Sequence, residues 1–168
     1  MTREEYLEMV KKNGFTLRLV PEELRDKEMC YEAIKINWSA LQFIPEELRD
    51  RELCLIAVKK NGCALYYVPK ELIDKEMCLE AVKKNGSALH YVPLKLRDKE
   101  ICLLAVKDHG WALRYVPKEL INKELCYEAV KSDGCALILV PKELRDREIC
   151  YESFKKNRQD YLDIFGDY

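Results

Sequence analysis

All six prolines of this chain lie 24 residues apart, at Pro21, Pro45, Pro69, Pro93, Pro117 and Pro141. Six of the eight cysteines repeat with the same spacing, at Cys30, Cys54, Cys78, Cys102, Cys126 and Cys150. A fixed period of this length is typical of solenoids, in which one short supersecondary unit stacks on copies of itself. The spacing therefore predicts a repeat protein in which each position of the repeat forms a column.

The first half of each repeat is predicted to be an α-helix. In the copy from Asp74 to Arg97, DKEMCLEAVKKNGSALHYVPLKLR, an aspartate occupies the N-cap position and a glycine follows the helix. The apolar residues of this copy share one helical face, at Met77, Cys78, Ala81 and Val82. We expect Gly86 and its copies to take a left-handed backbone conformation at the helix end. Trp38 replaces this glycine in the second repeat, so that corner is expected to be built differently or strained.

The second half of each repeat is too short for a long helix, and its proline cannot continue one. It predicts a one-turn α or 3₁₀ connector whose Leu89, Val92 and Leu96 point at the core. The fold class is thus an all-α solenoid of about six to seven 24-residue repeats, each a longer α-helix plus a short α/3₁₀ connector. Residues 1–157 are predicted to be a single repeat domain, and residues 158–168 a C-terminal cap or tail.

The cysteine columns predict reduced thiols. Equivalent residues on adjacent stacked helices lie about 8–10 Å apart, whereas a disulfide needs Cα atoms within about 7 Å. The six periodic cysteines are therefore expected to be small core residues. Cys63 and Cys135, which lie off this column, are the only candidates for reactive thiols, and a merely structural role is favoured for them as well. With no run of about 18 apolar residues and no apolar signal-peptide core at the N-terminus, we expect a cytoplasmic protein that contacts no membrane.

Charged columns run along the predicted helices, although the net charge is only −1. One lysine column lies opposite the apolar face, at Lys11, Lys35, Lys59, Lys83, Lys107, Lys131 and Lys155, and a second basic column starts at Arg3 and ends at Arg147. Parallel basic rows suit a phosphate backbone, so Lys35, Lys59, Lys83, Lys107 and Lys131 are candidate nucleic-acid contacts. Glutamates one turn before several of these lysines favour the alternative of a mixed, salt-bridged, solvated face.

The connectors carry the positions that vary between repeats, and variable surface positions of repeat proteins tend to carry recognition. Aromatic and arginine side chains are enriched at interface hot spots, so we predict partner binding by Tyr66, His90, Trp111 and Arg114. The neighbouring tyrosine column, Tyr67, Tyr91 and Tyr115, fits either the same role or packing between repeats. Stacking on unpaired nucleic-acid bases is the alternative use of these rings.

Chemical motifs are nearly absent. His90 and His109 have no Cys or Asp partner at metal-ligand spacing, and no phosphate-binding or nucleophile motif occurs. We therefore expect no catalysis, no metal, no cofactor and no small-molecule substrate; an enzyme using Cys63 or His90 is the weakest alternative. The asparagine column, which includes Asn13, Asn37, Asn61 and Asn85, is expected to satisfy backbone groups at each turn rather than to bind a ligand.

The unit E-L-R-D-K-E-x-C-L-E-A-V-K-K-N-G-x-A-L-x-Y-V-P resembles a family of bacterial and viral tandem repeats described only as a domain of unknown function, over residues 2–157. Its alternating long and short helices also look like the leucine-rich variant repeat, which shares the period. Small stand-alone members of the family include an anti-CRISPR protein. The resemblance thus implies an inhibitor that binds a type VI-A CRISPR effector ribonucleoprotein, its RNA, or both. The alternative is a generic protein–protein interaction scaffold of a bacterium or phage.

Overall fold

In a computed structural model, the backbone is described for residues 1–165 and the side chains for residues 1–159. Within residues 1–165 there are seven α-helices: α1 Arg3–Lys12, α2 Lys27–Ile36, α3 Arg51–Lys60, α4 Lys75–Lys84, α5 Lys99–Asp108, α6 Lys123–Ser132 and α7 Arg147–Phe165. No strand occurs within residues 1–165. The predicted all-α repeat solenoid is confirmed.

Each connector between two α-helices consists of two 3₁₀ helices. The first has six residues: Gly14–Leu19, Trp38–Phe43, Gly62–Tyr67, Gly86–Tyr91, Gly110–Tyr115 and Gly134–Leu139. The second has three and begins after the proline: Glu22–Leu24, Glu46–Leu48, Lys70–Leu72, Leu94–Leu96, Lys118–Leu120 and Lys142–Leu144. Proline fixes the break between them because it cannot donate the hydrogen bond that would continue the first.

The chain divides into two compact units, residues 1–84 and residues 85–168. Unit 1 contains α1 to α4 with the first three connectors, and unit 2 contains the last three connectors with α5 to α7. Within each unit, α-helices pack on α-helices, connectors on connectors, and each connector on the helix that follows it. Each unit is therefore a two-layered stack. That residues 1–157 act as a single domain stays a prediction.

The helices begin where the sequence predicts, because every N-cap side chain accepts a backbone hydrogen bond. The side chains of Asp26, Asp50, Asp74, Asp98, Asn122 and Asp146 accept from the N–H three residues on at 2.8–3.0 Å. In α1, Thr2 accepts from Glu5 N–H at 3.3 Å while the Glu5 carboxylate accepts from Thr2 N–H at 2.8 Å. This reciprocal capping box fixes the first turn of the chain.

Asparagine, rather than a left-handed glycine, ends each of the first four helices. Asn61 is extended (φ −151°, ψ 121°), and its side chain accepts from the Cys63 N–H at 2.9 Å. Asn13, Asn37, Asn85 and Asp133 make the same bond, whereas His109 does not. The predicted satisfaction of backbone groups by this column is confirmed.

The predicted left-handed conformation of the glycines is wrong: no described glycine has a positive φ in that region. Glycine is needed because the next helix approaches closely. A Cβ on Gly62 would press into the backbone carbonyl oxygen of Ala81, and one on Gly110 into that of Ala129. Trp38 occupies this position with the same local backbone, following an extended Asn37 and opening a six-residue 3₁₀ helix. Its side chain needs space that the glycine corners lack, and α3 packs less closely on this connector than the following helix packs on any glycine connector. This corner is therefore built differently in the approach of the next helix, although not in its own backbone.

The core consists of the predicted columns. In α4, Met77, Cys78, Ala81 and Val82 are buried, and Leu89 and Val92 are buried in the connector that follows. Leu96, which was also expected to point at the core, is only half-buried, as are its copies such as Leu72. Residues 158–168, predicted as a cap or tail, begin inside α7, which continues to Phe165; Gly166, Asp167 and Tyr168 lie outside the described residues.

Candidate functional site

Three aromatic side chains come together on the connectors of unit 2. The His90 ring lies 4.9 Å from Tyr91 and 4.6 Å from Tyr115, measured between centroids. Next to Tyr115 along the chain, the Arg114 guanidinium lies over the Trp111 ring at 5.0 Å. His90 and Arg114 are exposed, and the other three are half-buried. We call these five residues the connector face; it contains five of the seven predicted partner-binding residues.

The other two predicted binding residues lie in unit 1, where Tyr66 and Tyr67 pack edge to face at 4.9 Å. Tyr66 is 65% exposed, while Tyr67 is half-buried. A further aromatic group was not predicted as a site: Phe15 packs on Phe43 at 5.2 Å and carries the Arg18 guanidinium at 4.9 Å. The variability of these connector columns is the sequence signal that points to it.

Arginines following the second 3₁₀ helix hold neighbouring connectors together, a role that the sequence analysis did not assign. Arg97 donates from Nε to the Val92 carbonyl at 2.9 Å, from Nη1 to Tyr115 at 2.7 Å and from Nη2 to His90 at 3.3 Å. Burial lowers the pKa of Arg97, but the group stays charged. Arg97 therefore fixes the backbone of two connector-face residues. Arg25 and Arg49 bridge connectors in the same way in unit 1.

The outward lysine column is exposed as predicted, and several of its members are paired. Lys35 lies 2.6 Å from Glu32 and Lys83 lies 3.3 Å from Glu80. The same one-turn pairing occurs at the ends of the column, in Lys11–Glu8 and Lys155–Glu152. Three residues before Lys59 and Lys107, the glutamate is replaced by Ile56 and Leu104, respectively. Carboxylates on the same helix therefore neutralise part of the positive charge of this lysine column.

The second basic column bridges successive repeats within each unit. Arg51 of α3 lies 2.7 Å from Asp74 and 2.6 Å from Glu76 of α4. The equivalent bridges are Arg3 to Asp26 and Glu28, Lys27 to Asp50, Lys99 to Glu124, and Lys123 to Asp146 and Glu148. The hydrogen bond from the Met77 N–H, together with Arg51, holds the pKa of Asp74 below its usual value. These cations act between repeats, so they are not a free phosphate-binding row.

No group of three or more His, Cys, Asp or Glu side chains among the described residues is placed to hold a metal ion. No described helix is both long and apolar enough to cross a membrane. His90 lies among aromatic rings, and Cys63 donates its backbone N–H to Asn61.

The thiols divide into five buried and three accessible groups. Cys30, Cys54, Cys78, Cys102 and Cys126 are buried, Cys63 is half-buried, and Cys135 and Cys150 are exposed. The prediction that the eight thiols are free of disulfides is confirmed. The prediction that Cys150 belongs to the core is wrong, because no further repeat covers its side of α7 within the described residues.

Titration with a water-soluble thiol reagent should therefore find three thiols that react quickly in the native chain and eight after unfolding. Burial raises the pKa of Cys30, Cys54, Cys102 and Cys126 to about 11. At pH 8 this leaves about 0.1% of each as the reactive thiolate. Replacement of Cys63, Cys135 and Cys150 by serine should abolish the fast phase; a fast phase that survives would contradict the assigned burial.

The comparisons with known proteins agree with the repeat architecture. The family model described as Domain of unknown function (DUF4116) matches four times, at residues 2–49, 26–73, 74–121 and 122–164. Each match begins at a helix N-cap, Thr2, Asp26, Asp74 or Asn122, and a full match spans two of the 24-residue repeats. No curated protein and no solved structure matches the chain.

Proposed function

Because the chain belongs to the family described as Domain of unknown function (DUF4116), whose description names no activity, we propose its function from its surface: it is a non-enzymatic binding protein. The observation that supports this is the connector face. His90, Tyr91 and Tyr115 form one ring cluster, and Arg114 lies over Trp111 beside it. Tryptophan, tyrosine and arginine are the side chains that most often dominate binding energy at protein interfaces.

The connector face is held in place before any partner arrives. Arg97 ties the carbonyls of His90 and Tyr115 together, and the connector leucines beneath, Leu89 and Leu113, are buried. Side chains that are already ordered lose little conformational entropy on binding, so more of the contact energy remains as affinity. This arrangement suits a binding surface better than a reaction site.

A protein partner is favoured over RNA by the charge arrangement. Lys35 and Lys83 are paired with glutamates on their own helices, and the second basic column is bridged to the carboxylates of the next repeat. Binding of a phosphate backbone draws its energy from cations that can release counterions. Paired cations supply less of that energy, so we assign the lysines a modulating role and the connector face the main role.

The most specific form of the proposal is an anti-CRISPR inhibitor of a type VI-A RNA-guided RNase that binds the effector protein. It rests on the resemblance to a repeat family whose small stand-alone members include such an inhibitor, and the connector face supplies the surface. A generic protein–protein interaction scaffold is the alternative, and it would use the same face for an unrelated partner.

The proposal is tested with a triple variant, His90→Ala, Trp111→Ala and Arg114→Ala, in capture of a type VI-A effector–guide complex and in inhibition of its RNA cleavage. We expect affinity to fall about 30-fold or more, since a hot spot is worth about 2 kcal/mol or more. The matched control replaces Lys59, Lys83 and Lys107 with glutamine, and we expect a loss of less than tenfold. Unchanged thermal melting establishes that both variants are folded.

The alternatives give different results in the same assay. Suppose that the parent captures no effector but does capture another protein from lysate, and that the connector variant no longer captures that protein. The proposed function is then a protein–protein interaction scaffold rather than an inhibitor. If the lysine variant alone loses capture, with a flatter salt dependence and equal loss for all RNA sequences, RNA binding through the lysines replaces the assignment of the connector face.

A further inference from the structure

The last helix presents a surface that every earlier helix of its unit buries. In α6, Cys126 and Val130 are fully buried. The equivalent residues of α7 are Cys150 and Phe154, and both are exposed, Phe154 at 65%. Tyr151 beside them is 67% exposed. The C-terminal end of unit 2 therefore carries an apolar stacking surface that, in the described residues, no further repeat covers.

Positive charge surrounds this surface. Among the residues whose side chains are described, a depression there is lined by Tyr151, Phe154, Lys155, Arg158 and Gln159, none of which carries a carboxylate. Arg147 is the last cation of the bridging column: Lys123 one repeat earlier meets Asp146 and Glu148, but no such acidic pair follows Arg147 among the described residues. We call Arg147, Cys150, Tyr151, Phe154 and Arg158 the C-terminal face.

At the N-terminal end of unit 1, acidic side chains predominate in the lining of a depression, although one of them, Glu8, also pairs with Lys11 at 3.2 Å. This depression on α1 is lined by Met1, Glu4, Glu5, Glu8, Met9 and Lys12, so carboxylates outnumber the lysine three to one. Glu5 replaces the buried apolar residue of later repeats, such as Met29, and Glu4 occupies the position of Glu28, which accepts from Arg3. Met1 is 67% exposed. These six residues are the N-terminal face.

We infer that two copies of the chain associate head to tail, with the C-terminal face of one against the N-terminal face of the other. The exposed aromatic rings then meet Met1 and Met9, while Arg147 continues the bridging column by pairing with Glu4 of the second copy. Contact between two C-terminal faces would instead place Arg147, Lys155 and Arg158 of one chain near the same cations of the other chain, which is unfavourable. The contact is heterologous, since it joins two different surfaces.

The test is a mixing experiment by analytical ultracentrifugation. One variant, Phe154→Asp, blocks the C-terminal face, and another, Glu4→Lys with Glu8→Lys, blocks the N-terminal face. The parent should show an average mass that rises with concentration and falls with salt. Each variant alone should stay monomeric, with association at least tenfold weaker, but an equal mixture should form dimers and nothing larger, because one intact face remains on each partner.

A control variant, Glu22→Lys with Glu23→Lys, changes the net charge equally on an exposed connector and should associate like the parent. All changed residues are exposed, and matched melting curves check the fold. Association that persists in the N-terminal variant alone means that C-terminal faces pair with each other and overturns the inference. A parent that stays monomeric at every soluble concentration also overturns it.

Discussion

Replacing Gly62 with alanine should lower the free energy of unfolding by about 3 kcal/mol. The added Cβ would press into the backbone carbonyl of Ala81 in α4, and a backbone atom in a close-packed stack cannot rotate aside as a flexible side chain can. Overpacking of this kind costs about 1–3 kcal/mol, sometimes more. Denaturant unfolding followed by circular dichroism measures the loss; Lys60→Ala, on the exposed side of the preceding helix, should change it by less than about 0.5 kcal/mol.

A second substitution at the same site separates close approach from backbone conformation. Asparagine is tolerated better than alanine where a residue must be left-handed. Where space is lacking, asparagine destabilises the fold more than alanine does, because it adds the same Cβ and further side-chain atoms. Gly62→Asn should therefore destabilise the chain at least as much as Gly62→Ala. A milder effect of asparagine would mean that helix-end geometry, not the approach of the next repeat, selects glycine.

Replacing Arg97 with alanine should lower the free energy of unfolding by about 2 kcal/mol and weaken partner capture as well. Three backbone carbonyls, of Val92, Tyr115 and His90, lose a charged donor in a half-buried connector. Hydrogen bonds to charged groups contribute about 1.5–3 kcal/mol, and solvent reaching this partly exposed site reduces that value. The same denaturant unfolding, combined with the capture assay, measures both effects.

The chain itself offers the control, because Ile73 and Ile121 occupy the position of Arg97 in two other repeats. Arg97→Ile keeps the apolar packing of the side chain and removes only the donors. We expect it to lose about 1 kcal/mol, less than alanine, but to weaken capture by the same factor as alanine. If the parent, Arg97→Ala and Arg97→Ile were equally stable and captured the partner equally well, Arg97 would not position the connector face.

Much of the fold is predicted from the sequence because its signals act within one repeat. Asp74 and its copies cap helices through a bond three residues away, and Asn61 satisfies an N–H two residues away. Pro93 separates the two 3₁₀ helices of its connector because its own backbone lacks a donor. Part of the candidate site was also predicted from the sequence, because His90, Trp111 and Arg114 lie at connector positions that vary between repeats. The placement of the Arg114 guanidinium over the Trp111 ring was not predicted.

The sequence by itself determined the period, the helix starts, the connector breaks and the buried columns, because each depends on local hydrogen bonding or on helical periodicity. Tertiary structure alone decided why Gly62 is glycine, what Arg97 holds and why Cys150 is exposed although its five copies are buried. The physical reason is common to the three: each depends on the repeat that packs alongside. The surroundings of a residue in a stack depend on residues 18 to 24 positions away in the sequence. The sequence of a single repeat does not include those residues.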